Sequence, residues 1–228
     1  MPGAALVLAA LARVGVDGPM PPICDALVNG TLGAAPICLV NRTRVLQGDS
    51  RFALAGGVRL AQGVALGCEP ALCALEFACA SGDIELEAGS MLRGGNVTLV
   101  ADALIVAPSA SVSASALGLD DSPDDYYGDR HVQGAGYGGV GGSCLAFNAG
   151  GASYGDATAP AAFGSGRHVS APFKRRESVR GGGVVAVFAR SAVQLDGALV
   201  ADGEAAVGTA LGGGSGGTVI VRLSLIHI

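Results

Sequence analysis

One short pattern of alternating apolar residues occurs twice in this chain and begins a third time. The first copy is Gly95-Asn96-Val97-Thr98-Leu99-Val100-Ala101, followed by Leu104, Val106 and Val112. The second is Gly183-Val184-Val185-Ala186-Val187-Phe188-Ala189, followed by Val193, Leu195 and Val200. Val97 to Val112 and Val185 to Val200 are each 15 positions apart. Each copy leads to a glycine-dense stretch, Gly134 to Gly142 or Gly212 to Gly217, and Thr218-Val219-Ile220-Val221 then restarts the pattern. A unit this short cannot bury its apolar face alone. Stacked copies can, so the repeat predicts a quasi-one-dimensional β architecture.

Period-2 pairs extend the same signal upstream. They are Phe52/Leu54, Val58/Leu60, Val64/Leu66, Leu75/Phe77, Ile84/Leu86, Val97/Leu99, Leu104/Val106 and Val112/Ala114. Gly, Asn, Asp or Ser separates most of them, which marks short strands joined by turns. The spacing leaves no room for crossover helices. We therefore expect an all-β chain, a parallel β-helix or solenoid carrying a long glycine-rich loop insertion. An antiparallel β-sandwich is the alternative. Successive rungs look alike, small residues alternate inward, and the insertion interrupts the pattern without destroying it.

The chain divides accordingly. Residues 1–23 are a leader, with Pro19, Pro21 and Pro22 blocking regular structure. Residues 24–118 are solenoid rungs, 119–181 the insertion, and 182–222 further rungs. Ala4 to Ala12 is an apolar run of signal-peptide dimensions, and Ala10-Leu11-Ala12 suits cleavage, but no basic residue precedes it. A signal peptide and an internal Met1 of a longer chain both remain open. Leu223-Ser224-Leu225-Ile226-His227-Ile228 is what CTG TCT CTT ATA CAC ATC encodes, and it resembles a sequencing-library adapter. We expect 223–228 to be such a scar and the native frame to continue past Arg222; a natural strand extending Val219-Ile220-Val221 is the alternative.

Composition narrows function by exclusion. A net charge of −5 with no basic patch argues against nucleic-acid binding. No apolar run reaches the roughly 18 residues of a membrane span. Half the residues are hydrophobic and only 14 % charged, which excludes a disordered chain. Tryptophan is absent and aromatics are 4 %, so the core must come from Ala, Val, Leu and Ile, which suit closely stacked layers.

The chemical motifs are weak. Gly134-x-Gly136-x-x-Gly139 matches a dinucleotide fingerprint without the strand before it or the helix after it that such binding needs. Gly213-Gly214-Ser215-Gly216-Gly217 matches a nucleophile elbow, but only His227 follows it. The acidic run from Asp120 to Asp129 lacks EF-hand spacing and reads as a solvated loop. Lys174-Arg175-Arg176 reads as a solvated charge run in a loop, and a processing site is the functional alternative. His131 and His168 stand 37 positions apart with no ligand spacing. We expect no catalytic, metal or cofactor residues. The best carboxylate cluster for an enzyme is Asp83, Glu85 and Glu87, which alternate with Ile84 and Leu86 and so face outward from one strand.

Cysteines and sequons say more. The six cysteines are Cys24, Cys38, Cys68, Cys73, Cys79 and Cys144, with no paired C-x-x-C for zinc. Local spacing favours disulfides Cys24–Cys38 and Cys68–Cys73; Cys79 and Cys144 stay unassigned. Asn29, Asn41 and Asn96 open Asn-x-Thr sequons. Together these favour the secretory route, with the product secreted or held at the cell surface.

An ordered series of segments carries a family resemblance. It comprises Cys68-Glu69-Pro70-Ala71-Leu72-Cys73, then Ser81-Gly82-Asp83-Ile84, then Gly134-Ala135-Gly136-Tyr137-Gly138-Gly139 ahead of Cys144, and Gly151-Ala152-Ser153-Tyr154-Gly155-Asp156-Ala157. It continues with Phe163-Gly164-Ser165-Gly166, Gly181-Gly182-Gly183-Val184-Val185, Leu199-Val200-Ala201-Asp202-Gly203 and Gly212 to Thr218. The series resembles the large glycine-rich cell-surface proteins of plants and green algae, often mislabelled ephrin-receptor-like. The resemblance implies a β-solenoid ectodomain, entry through the secretory pathway and a membrane anchor far downstream of 222. It supplies no catalytic residues, and Cys79 departs from its pattern. The expected function is a non-enzymatic extracellular scaffold or adhesion glycoprotein contacting cell-wall polysaccharide or other surface proteins. A β-helical polysaccharide lyase or hydrolase is the alternative.

Overall fold

The computed structural model describes residues 23–28, 35–120, 134–141, 150–156, 158–168, 178–205 and 213–224. The described residues contain strands and no helix. The strands before the insertion are β1 (Ala26–Val28), β2 (Ile37–Val40), β3 (Arg44–Gln47), β4 (Ser50–Leu54), β5 (Val58–Leu60), β6 (Ala65–Glu69), β7 (Ala74–Cys79), β8 (Ile84–Leu86), β9 (Met91–Arg93), β10 (Asn96–Val106) and β11 (Ser111–Ser113). The short pair β12 (Arg167–His168) and β13 (Ser178–Val179) lies within it. After it come β14 (Val184–Leu195), β15 (Ala198–Val200) and β16 (Thr218–Leu223).

Strand pairing is parallel throughout, except for the antiparallel pairs β1–β2 and β12–β13. The antiparallel sandwich is therefore not the arrangement. Three ladders result. One runs β4–β7–β10–β14–β16, a second β2–β5–β8 and on to the later halves of β10 and β14. The third is a separate five-stranded sheet in the order β15–β11–β9–β6–β3. The long strands β10 and β14 join the first two ladders into one nine-stranded sheet.

The repeat register follows the sequence alignment through the long strands, but Val112 pairs with Leu199 rather than with the Val200 that equal spacing implies. Val97 pairs with Val185 and Leu99 with Val187, and these pair onward with Val219 and Val221. The second copy carries one extra residue before its Val193, and the register shifts between Ala101 and Ala103 to absorb it. Every member of the eight period-2 pairs is buried except Phe52, which packs on the core from its edge. The middle of the stack is fully closed: Leu75, Val97 and Val185 in the first ladder and Leu66, Leu92 and Val112 in the third are all 0 % exposed. Each such side chain contributes about 1.5–3 kcal/mol relative to exposure. Phe52 and Phe77 add a stacked aromatic pair with centroids 5.2 Å apart.

Ala186, which alternates with Val185 and Val187, is buried as well. Val219 and Val221 take the inward register yet stay 43 % and 47 % exposed, because no strand lies beyond β16 among the described residues.

Glycine density has a local cause. Gly95, Gly183 and Gly217 each precede the aligned residues Asn96, Val184 and Thr218. A Cβ at Gly183 would strike the Gly95 carbonyl oxygen, and one at Gly217 would strike that of Gly183. Backbones approach here more closely than any side chain permits.

Candidate functional site

The carboxylate row comes first, since it was the best sequence candidate for catalysis. Asp83, Glu85 and Glu87 do alternate with buried Ile84 and Leu86 and face out. Each is spent on a neighbouring strand or turn. Glu85 accepts from Arg59 Nε at 2.6 Å, Asp83 accepts the Ala103 amide at 2.9 Å, and Glu87 accepts the Gln62 amide at 2.9 Å. Asp102 joins the pattern by accepting from Arg190 Nε at 2.6 Å and from the Gly82 amide. Burial pushes the Asp102 carboxyl up, but the Arg190 hydrogen bond, the Gly82 amide and the Arg190 charge together hold it below its ordinary value. These groups brace the ladders as ion pairs and amide caps.

The motif matches also resolve into structural roles. Gly134-x-Gly136-x-x-Gly139 lies in irregular backbone, where the Gly151 amide donates to the Gly134 carbonyl and the Gly141 amide to the Gly151 carbonyl. Ser215 Oγ donates to the Ser165 carbonyl at 3.2 Å and accepts the Ser165 amide at 2.8 Å, so it ties two backbone segments together. His168 lies in β12, while His131, most of the acidic run, Lys174-Arg175-Arg176 and His227 lie outside the described residues.

The described parts of the insertion pack onto the sheets. Gly118 donates to Gly181, Leu119 to Gly164, and Gly164 to Gly182, all main chain to main chain. Tyr137 Oη bonds Thr218 Oγ1, which donates to the Ala162 carbonyl at 2.9 Å. Tyr154 Oη donates to the Phe163 carbonyl, and the two tyrosine rings meet 5.1 Å apart. This latch buries Thr218 and borders an open groove with Ser153, Asp156 and Val219.

A second concavity, of about 330 Å³, lies on the outer face of the five-stranded sheet. Ala65 and Gly67 of β6 form its floor, with Val45 of β3 on one side and Met91 and Arg93 of β9 on the other. Glu69, Pro70 and Ala71 close one end, where the Cys68–Cys73 disulfide and the Leu72 amide's bond to the Leu117 carbonyl fix the turn. Sequence reasoning missed this place. Its only early trace was the small pair Ala65 and Gly67 between inward Leu66 and Cys68.

The covalent expectations meet the structure directly. Cys24–Cys38 and Cys68–Cys73 are disulfides, with Cα atoms 5.2 and 6.0 Å apart. Cys79 is a free, buried thiol that burial pushes up to about 12. Cys144 and Asn29 lie outside the described residues. Asn41 stands exposed at a turn, and Asn96 opens β10 between Ala74 and Val184. Among the described residues no cluster of metal-ligating side chains occurs, and no helix is long and apolar enough to cross a membrane. Compared with protein-family models, curated proteins and solved structures, the chain matches none.

Proposed function

We propose that this chain is a stretch of a β-solenoid ectodomain, a non-enzymatic extracellular scaffold or adhesion glycoprotein like the glycine-rich surface proteins it resembles. The observation that carries the reading is the in-register parallel stacking of Val97, Val185 and Val219 across repeat-equivalent strands. Each circuit of the chain adds one strand to each of three ladders, which is how a solenoid grows. Two disulfides fit an oxidising compartment. Surface carboxylates used as braces fit a scaffold better than an acid–base site. Cell-wall polysaccharide or another surface protein is the partner class, and any membrane anchor belongs downstream of 222.

The test has two arms. Expressed through the secretory pathway, the chain gains glycans at Asn41, Asn96 or Asn29, and glycosidase treatment increases its gel mobility. Incubated with pectin or xylan, it releases no reducing ends. Unchanged mobility would count against secretion, and sugar release would turn the reading toward a β-helical lyase or hydrolase.

A further inference from the structure

We propose that the outer face of the five-stranded sheet binds a linear polyuronate, a polysaccharide bearing one carboxylate per sugar, with Arg93 as its anchor. The proposal rests on the scaffold reading above and names a ligand class for it.

Charge carries the argument. Almost every arginine whose side chain is described has an intramolecular partner. Arg42 and Arg44 meet Asp25, Arg51 meets Glu76, Arg59 meets Glu85, Arg180 meets Asp120, Arg190 meets Asp102, and Arg222 lies over the Phe188 ring. Arg93 alone among them has no such partner, and it is exposed. Arg93 lines the 330 Å³ concavity. A planar fork of donors fits a carboxylate in two-point geometry, which a neutral hydroxyl cannot match.

Shape selects a polymer over a small anion. Arg93 belongs to a row that crosses all five strands: Val45, Gly67, Arg93, Ser113 and Val200. A neighbouring row is Ala65, Met91, Ser111 and Ala198. Strands about 4.8 Å apart make the longer row span roughly 19 Å, the scale of several sugar units rather than one. Neither row contains an acidic residue. Gly67 keeps the floor low beside Arg93, whose carbonyl oxygen would lie 3.2 Å from any Cβ placed there. Ser111 and Ser113 supply hydroxyls along the track, and the disulfide-held turn at Pro70 forms a fixed lip. Glu69 is the single acid on the rim, and it makes no ion pair with Arg93.

The test is titration of the intact chain with polygalacturonate, neutral xylan and dextran sulfate at low and moderate salt. Polygalacturonate binds, xylan does not, and dextran sulfate binds more weakly. R93A weakens polygalacturonate binding about ten-fold or more, as loss of a charge-assisted bidentate contact should. R93K recovers part of it, and E69Q tightens it by removing the opposing charge. Failure of the wild-type chain to bind polygalacturonate overturns the proposal. So does an R93A variant that binds as well as wild type, or equal binding of xylan or dextran sulfate. Release of sugar ends during the titration would instead fail the scaffold reading and leave the binding site standing.

Discussion

The two ends of the strand stack are built differently. At the end that comes first in sequence, β1 folds back antiparallel along β2 and covers the edge of that one ladder, where Cys24–Cys38 staples it. Ile23, ahead of β1, is 1 % exposed. Asp25 anchors β1 by accepting the Asn41 amide and pairing with Arg44 and Arg42, while its own amide donates to the Leu39 carbonyl. At β16 nothing comparable covers the edge among the described residues. Val219, Val221 and Leu223 stand open there, although their register partners Val185, Val187 and Ala189 are buried. Val219 matches Val185 and Val221 matches Val187 in residue type, so their different burial depends on whether a further layer lies above. A reversed strand ends a stack because it takes up the edge hydrogen bonds without offering a parallel template.

The comparison can be broken most forcefully inside one row. Phe77, Leu99, Val187 and Val221 occupy equivalent positions. Leu99→Ala, in the middle, should cost about 2–5 kcal/mol in denaturant unfolding, since a cavity remains between two layers. A loss well below 1 kcal/mol would mean that the layers do not pack as described.

Removing the staple comes next. Replacing Cys24 and Cys38 together by Ser frees a loop of 14-residue separation and should cost about 3 kcal/mol by the loop-entropy model. Proteolysis of the double variant should begin at β1, and a cut that starts at β16 in both forms would show that the cap contributes nothing.

Glycine contact offers a third test. Gly183→Ala forces a backbone collision and should cost about 1–3 kcal/mol, whereas Gly138→Ala, with open space around it, should be neutral in the same thermal melt. Equal effects would refute the close-approach account.

Acid should act on the capped end. The Asn41 amide is the largest influence holding the Asp25 carboxyl below its ordinary value of 3.8; burial opposes it and Arg44 assists. A depressed folded-state value means that this carboxylate stabilises above pH 3.8 and loses that contribution as pH falls through its lower folded value. Asp25→Asn should flatten the acid limb of melting temperature against pH. An unaltered limb would remove Asp25 from the cap.

The smallest effect belongs to the open edge. Val221→Ala, in the same row as Leu99, should change stability by no more than about 0.5 kcal/mol. A large loss would show that something covers β16 in solution.

Much of this was legible residue by residue. Period-2 alternation located most of the inward side chains from Leu54 to Ala114, because a pleated strand can hide only one face, but it missed the fully buried Leu92. The repeat aligned Val97 with Val185 and Leu104 with Val193, with the extra residue before Val193 taken up as a bulge, but equal spacing also aligned Val112 with Val200, whereas Val112 pairs with Leu199. Short sequence separation was enough to pair Cys24 with Cys38 and Cys68 with Cys73. The candidate surface was not legible. Val45, Gly67, Arg93, Ser113 and Val200 are scattered through the sequence, and only parallel stacking brings them into one row. Arg93 looks like any other arginine until the partners of the rest are known.

Local alternation and repeat spacing thus determined by themselves that the chain forms strands, which faces turn inward and how the two long strands align. Those properties are written in neighbouring residues. Tertiary structure decided which inward faces were covered, which carboxylates became braces and which arginine was left over. Each of those outcomes depends on what lies one layer away, and that distance is short in space but 20 residues or more along the chain.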